Sequence, residues 1–186
     1  SGWYSGFLAE RDVESELAAV AEHAELLAAC GAQVMVYGEC GLMPGDAPLE
    51  APLSKTPSVA KDDWSAYGER LTRFAEALNA RHGIALSYHA HLMMVVENEA
   101  EIDALMAHTG EAVGLLFDAG HVVAGGGDMA SLLARHGERI NHLHCKDIRG
   151  DVMARVRRED ISFNQGVRDG MFTVPGDGYL DFSPLI

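Results

Sequence analysis

Apolar residues recur at spacings of three and four between Val13 and Ala28, through Leu17, Val20, Ala21, Ala24 and Leu27. That period predicts an amphipathic helix over 12–30, with Asp12 as its N-cap and Gly31 as its stop. The period then shortens. Gln33 to Tyr37 is a β-prone run ending in Gly38-Glu39-Cys40, and the stretch beyond it holds Pro44, Pro48, Pro52 and Pro57, which predicts a strand opening into a long exposed connection. Helical spacing returns from Asp63 to His82 through Trp64, Tyr67, Leu71, Phe74, Ala75 and Leu78; Gly83 closes it, and Ile84 to Tyr88 follows as a strand. The unit recurs as Glu99–Met106 before Val113–Phe117, and as Met129–His136 before Ile140–His144.

Helices alternating with short strands in this way imply an α/β fold with a parallel sheet, because each right-handed crossover returns the chain to the same edge of its starting strand. The candidates are a doubly wound sheet and a barrel. No strand is followed by G-x-G-x-x-G or a Walker-type loop, so the nucleotide-binding open sheets lack their signatures. A parallel (β/α)8 barrel is therefore expected. Such barrels run to about 250 residues, whereas 186 residues yield four strands here. The expectation is one partial barrel domain over 1–186, lacking the first strands and the last strand, with Ser1 to Gly6 as the loop after a missing strand.

Composition narrows the functions. Hydrophobic residues make up 48%, enough for one substantial core. The net charge of -14, from 28 acidic and 14 basic residues, repels phosphate backbones and anionic membranes, so neither nucleic acid nor a membrane is an expected partner. Cys30, Cys40 and Cys145 form no C-x-x-C pair, which argues against a disulfide framework or a zinc knuckle and for a reducing cytoplasm. No apolar run reaches the roughly 20 residues of a membrane span, and the N-terminus lacks the blocks of a signal peptide.

Each predicted strand ends in groups that bind metals or move protons: Glu39, then His89 and His91, then Asp118 and His121, then His142 and His144. A single strand-end histidine is more often hydrogen-bonded to backbone or water than a ligand. In a parallel barrel, however, these ends share one face and converge. Imidazole with carboxylate suits manganese, cobalt, iron or zinc at an open catalytic site. Lys146 and Arg149 either hold a substrate oxygen or, for Lys146, pair with Asp147 in the loop. Cys145 alternates away from His144 and is expected to pack. Arg155, Arg157 and Arg158, with Glu159 and Asp160, are expected to form a solvated loop face, and Val174-Pro175-Gly176-Asp177-Gly178 a tight turn.

Asp118-Ala119-Gly120-His121 resembles the D-x-G-H segment of the xylose-isomerase-like TIM barrels, and His142-Leu143-His144-Cys145-Lys146-Asp147 their H-x-H-x-K-D strand. Together with Tyr37-Gly38-Glu39, Tyr88-His89-Ala90-His91 and Phe172 to Gly178, they resemble the inosose dehydratase family. The family typically has H-H-H where this sequence has His89-Ala90-His91. The resemblance implies a metal-dependent lyase that removes water from 2-keto-myo-inositol in inositol catabolism, a small cyclic polyol ketone being the partner. A ketose isomerase or epimerase is the alternative on the same barrel; a DNA-repair endonuclease and a non-catalytic sugar-binding remnant are others. His89, Asp118 and His144 are then the implied ligands of a divalent ion, Mn2+ or Co2+. His91, Lys146, Glu39 and His121 are the candidates for acid and base, and Arg149 and His142 for substrate contact. A further glutamate ligand is expected from a last strand beyond Ile186, and pairing of barrels into a homo-oligomer is compatible with these features.

Overall fold

A computed structural model of the chain describes residues 1–60 and 63–185. Five strands, β1 (Gly2–Gly6), β2 (Val34–Glu39), β3 (Ala85–His89), β4 (Val113–Asp118) and β5 (Ile140–His144), form one parallel sheet in sequence order. Between them run α1 (Val13–Ala29), α2 (Trp64–His82), α3 (Glu99–His108), the short α4 (Ala119–Ala124) and α5 (Met129–His136). After β5 come β6 (Asp147–Ile148), α6 (Gly150–Arg158), α7 (Phe163–Arg168) and β7 (Phe172–Thr173), with β6 and β7 pairing antiparallel. Five parallel strands in an open row are an incomplete barrel, since a closed one has eight.

The helix boundaries follow local chemistry. Asp12 accepts the Ser15 N–H at 2.9 Å and starts α1; Asn98 and Glu101 form a reciprocal capping box on α3; Gly83 ends α2 at φ 68°, in the left-handed region. The helix-side face of the sheet, Met35, Tyr37, Leu86, Tyr88, Leu115 and Phe117, packs with Leu17, Leu71, Phe74 and Leu105 into the main core. A second apolar cluster, Leu92, Ile148, Met153, Val156 and Met171, lies under α6 and α7.

Three expectations are corrected. The Ser1–Gly6 segment is not a loop: residues 2–6 are a strand in register with β2, Gly2 opposite Met35 and Gly6 opposite Glu39. A Cβ on Gly6 would lie 2.0 Å from Tyr37 Cζ, and one on Gly2 2.5 Å from Leu27 Cδ2, so close packing replaces with glycine the side chains that would have marked a strand. Arg155, Arg157 and Arg158 lie on α6, where Met153 and Val156 supply a buried stripe too short to be recognised from its period. Cys145 is exposed rather than packed, as is Leu143 at 46%, because β5 is the edge of the sheet.

The proline-containing connection after β2 makes two 3-10 turns, Pro48–Glu50 and Leu53–Lys55, and is fastened to the segment after β5. Glu50 pairs with Arg168, Ser54 donates from backbone and side chain to Asp160, and Pro52 bridges Ser162. Among the described residues no helix is long and apolar enough to cross a membrane.

Candidate metal and substrate site

Strand parity assembles the centre. Asp118 ends β4 directly beside His144 at the end of β5, and His89 ends β3 on the same inner face. One oxygen of Asp118, Oδ2, lies 3.2 Å from His89 Nε2, 3.4 Å from His144 Nδ1 and 2.9 Å from Lys146 Nζ. Asp118 is 1% exposed and His89 2%. Burial by itself pushes the Asp118 carboxyl up, but hydrogen bonds from His144 and His89 and the nearby Lys146 charge outweigh it and hold the group far below the usual carboxylate range. Burial pushes the His89 imidazole down, against the pull of Asp118.

This donor set fits a divalent ion. Two atoms each about 2.1 Å from a common ion stand roughly 3–3.5 Å apart, which is the spacing found around Asp118. His89, Asp118 and His121 also bring nitrogen and oxygen atoms within 4.8 Å of one another. His121 is nonetheless the weaker ligand, because its Nδ1 accepts the Leu92 N–H at 3.3 Å, which leaves Nε2 carrying the proton. That Nε2–H is buried and unpartnered. His144 Nδ1, outside that group of three, approaches the same Asp118 oxygen at 3.4 Å.

Beside the centre, His91 and His121 lie with ring centroids 3.7 Å apart. His91 has the opposite tautomer: its Nδ1–H donates to the Leu92 carbonyl at 2.6 Å, so Nε2 presents a lone pair. Burial pushes the His91 pKa down to about 3 and that of His121 well below its ordinary value, so both are neutral at physiological pH. Phe163 contacts both rings at centroid distances of 5.0 and 6.1 Å, and Phe172 lies 5.0 Å from His121. A cavity of about 730 Å³ opens here, lined by Trp3, Phe7, Glu10, Leu42, His91 and Phe163.

The remaining expected residues are placed as follows. Lys146 reaches Asp118 rather than Asp147, and its stem crosses Gly120, where a Cβ would meet Lys146 Cγ at 2.3 Å. Asp147 instead accepts four backbone N–H groups, from Ile148, Gly176, Gly178 and Leu180, at 2.8–3.0 Å. The Val174–Gly178 turn is therefore tied back to β6, which brings Phe172 to the site. Arg149 pairs with Asp177 at 2.5 Å and the Gly170 carbonyl at 3.0 Å. His142 lies behind His144, ring centroids 5.4 Å apart, with Nε2 3.2 Å from Ser1 Oγ. Glu39 is not brought to the centre. It faces the helix layer, where Oε2 accepts from Tyr37 at 2.8 Å, Tyr67 at 3.1 Å and the Ala9 N–H at 3.1 Å, while Oε1 accepts the Gly41 N–H at 2.8 Å. Trp3 and Phe163 escaped the sequence reasoning, and Phe172 entered it only as part of a motif, without a place at the site.

A partial parallel barrel with an imidazole–carboxylate centre at its strand ends defines a class, and the chain matches the family described as xylose isomerase-like TIM barrel over residues 2–186. It belongs to that family. It is 46% identical over 186 residues to the rhizopine catabolism protein MocC of Rhizobium meliloti, and 41% identical over 188 residues to an inosose dehydratase of Clostridium perfringens. These alignments take in 100% of this chain but 57% and 62% of the respective relatives. Among solved structures, the IOLI protein with a bound zinc atom superposes with a TM-score of 0.66 at 17% identity, over 99% of this chain and 59% of that one. That likeness is one of fold.

Proposed function

We propose that this protein is a divalent-metal-dependent hydro-lyase that dehydrates 2-keto-myo-inositol (scyllo-inosose) to a trihydroxycyclohexane-dione. The observation that carries the proposal is the convergence of His89 and His144 on one buried oxygen of Asp118, beside two neutral imidazoles of opposite tautomer. The 41% identity to an inosose dehydratase supports the choice of substrate.

His89, Asp118 and His144 would hold the ion, Mn2+ or Co2+. When bound, it supplies a positive charge that polarises the ketone oxygen and acidifies the adjacent C–H. The protein's own groups do the rest. His91 Nε2, whose lone pair is left free by the Nδ1–H bond to the Leu92 carbonyl, takes the proton α to the ketone and passes it to the departing β-hydroxyl, so water leaves and His91 returns to neutral. His121 Nε2–H, unpartnered within the protein, hydrogen-bonds and orients that hydroxyl. Trp3 and Phe163 give the apolar face of a polyol ring a surface to stack on, and Glu10 on the cavity wall disfavours a phosphorylated sugar.

Assay of the purified protein with scyllo-inosose and Mn2+ or Co2+ is expected to release one water per ketone. Absence of dione under either metal overturns the proposal; a product of unchanged mass would instead mark a ketose epimerase. His91→Ala is expected to lower kcat at least about 100-fold while the metal content is retained.

A further inference from the structure

Lys146 places its ammonium where the charge of a bound ion is also required. Its Nζ lies 2.9 Å from Asp118 Oδ2, the oxygen that His89 and His144 approach. The path is prepared: Gly120 leaves room for the stem, and Phe172 lies under the ammonium at 5.1 Å from its ring centroid. A buried carboxylate needs a counter-charge. Two cations on one oxygen, some 4 Å apart, repel each other strongly in a low-dielectric site. Lys146 is 30% exposed on a flexible four-carbon stem, so its ammonium has somewhere to go.

We propose that Lys146 is the internal counter-cation of the metal-free centre, and that arrival of a divalent ion at Asp118 displaces its ammonium toward the cavity, where it is available to a substrate oxygen. This rests on the metal assignment above and adds to it that metal binding and the position of Lys146 are mutually exclusive at one oxygen. Lys146 would thereby weaken metal affinity while keeping the empty site folded.

The sequence contains three lysines, Lys55, Lys61 and Lys146, which makes the test direct. The protein is treated briefly with an amine-acylating reagent, with and without saturating Zn2+ or Mn2+, and modification is read by peptide mass spectrometry. Metal is expected to raise the labelling rate of Lys146 several-fold and to leave exposed Lys55 unchanged. In parallel, calorimetric titration of Lys146→Met is expected to show metal binding at least tenfold tighter than wild type, with a lower Tm for the metal-free variant. Wild-type protein that binds the ion with no change in Lys146 labelling, or a variant with unaltered affinity, overturns the displacement. Failure of both proteins to bind any ion overturns the metal assignment itself, which is a distinguishable result.

Discussion

Glu39 and Asp118 end the two strands that flank β3, and both carboxylates are buried, at 0% and 1% exposure. Their surroundings are opposite. Asp118 shares the inner face of β4 with Gly114 and Leu116 and meets two imidazoles and an ammonium. Glu39 shares the helix-side face of β2 with Met35 and Tyr37 and meets tyrosine hydroxyls and backbone N–H groups. Burial raises the Glu39 carboxyl, and its hydrogen bonds recover only part of the shift, whereas Asp118 is driven far down. One step of pleat decides whether a strand-end acid looks into the barrel or into its helical coat. On that view Asp118 is placed to serve the proposed ion, and Glu39 braces two turns that wall the cavity, one at Ala9 and one at Gly41.

The contrast can be broken most sharply at Asp118. Asp118→Ala is expected to abolish metal binding in calorimetry, a loss beyond the 10–100-fold typical of outer-shell changes; retained binding would remove the ion from this position. Glu39→Ala should do the reverse, leaving affinity for the ion within about twofold while lowering unfolding free energy by roughly 3 kcal/mol, because four donors lose their acceptor. Urea denaturation and titration on the same sample separate the two effects. Gly6→Ala attacks the same brace from outside, since the new methyl must push the Tyr37 ring off Glu39; a loss of about 2 kcal/mol is expected, again with metal binding intact.

The smallest expected effect is a pH slope. Glu39 has a folded pKa above its unfolded value of about 4.3, so between the two the native state binds more protons. The stability this group contributes is then fully present below about pH 4 and is lost as pH rises through the folded value. Wild type should therefore lose stability relative to Glu39→Gln between pH 4 and pH 7. A wild type that instead gains stability relative to Glu39→Gln as pH rises would mean that hydrogen bonding, and not burial, dominates there.

Much of this arrangement was legible in the chain. Asp12 and Gly83 announced helix ends because capping is a contact within a few residues, and the alternation of Ile140-Asn141-His142-Leu143-His144 put two imidazoles on one side of β5 because the pleat has a period of two. Less was legible where packing at a distance had chosen the residue. β1 was hidden by glycines that make room for Tyr37 and Leu27, and α7 by its brevity. Phe163 could not be linked to His91 across 72 positions.

By itself, then, the sequence determined the repeating helix–strand unit, its family, and the cluster of imidazoles and carboxylates at strand ends, because each is written in local period or local motif. Only the tertiary structure decided that Lys146 pairs with Asp118 and not with the adjacent Asp147, and that Glu39 turns to the tyrosines. The reason is that a charged side chain settles on the partners that solvate it best once water is excluded, and those partners come from strands and turns that are remote in the chain.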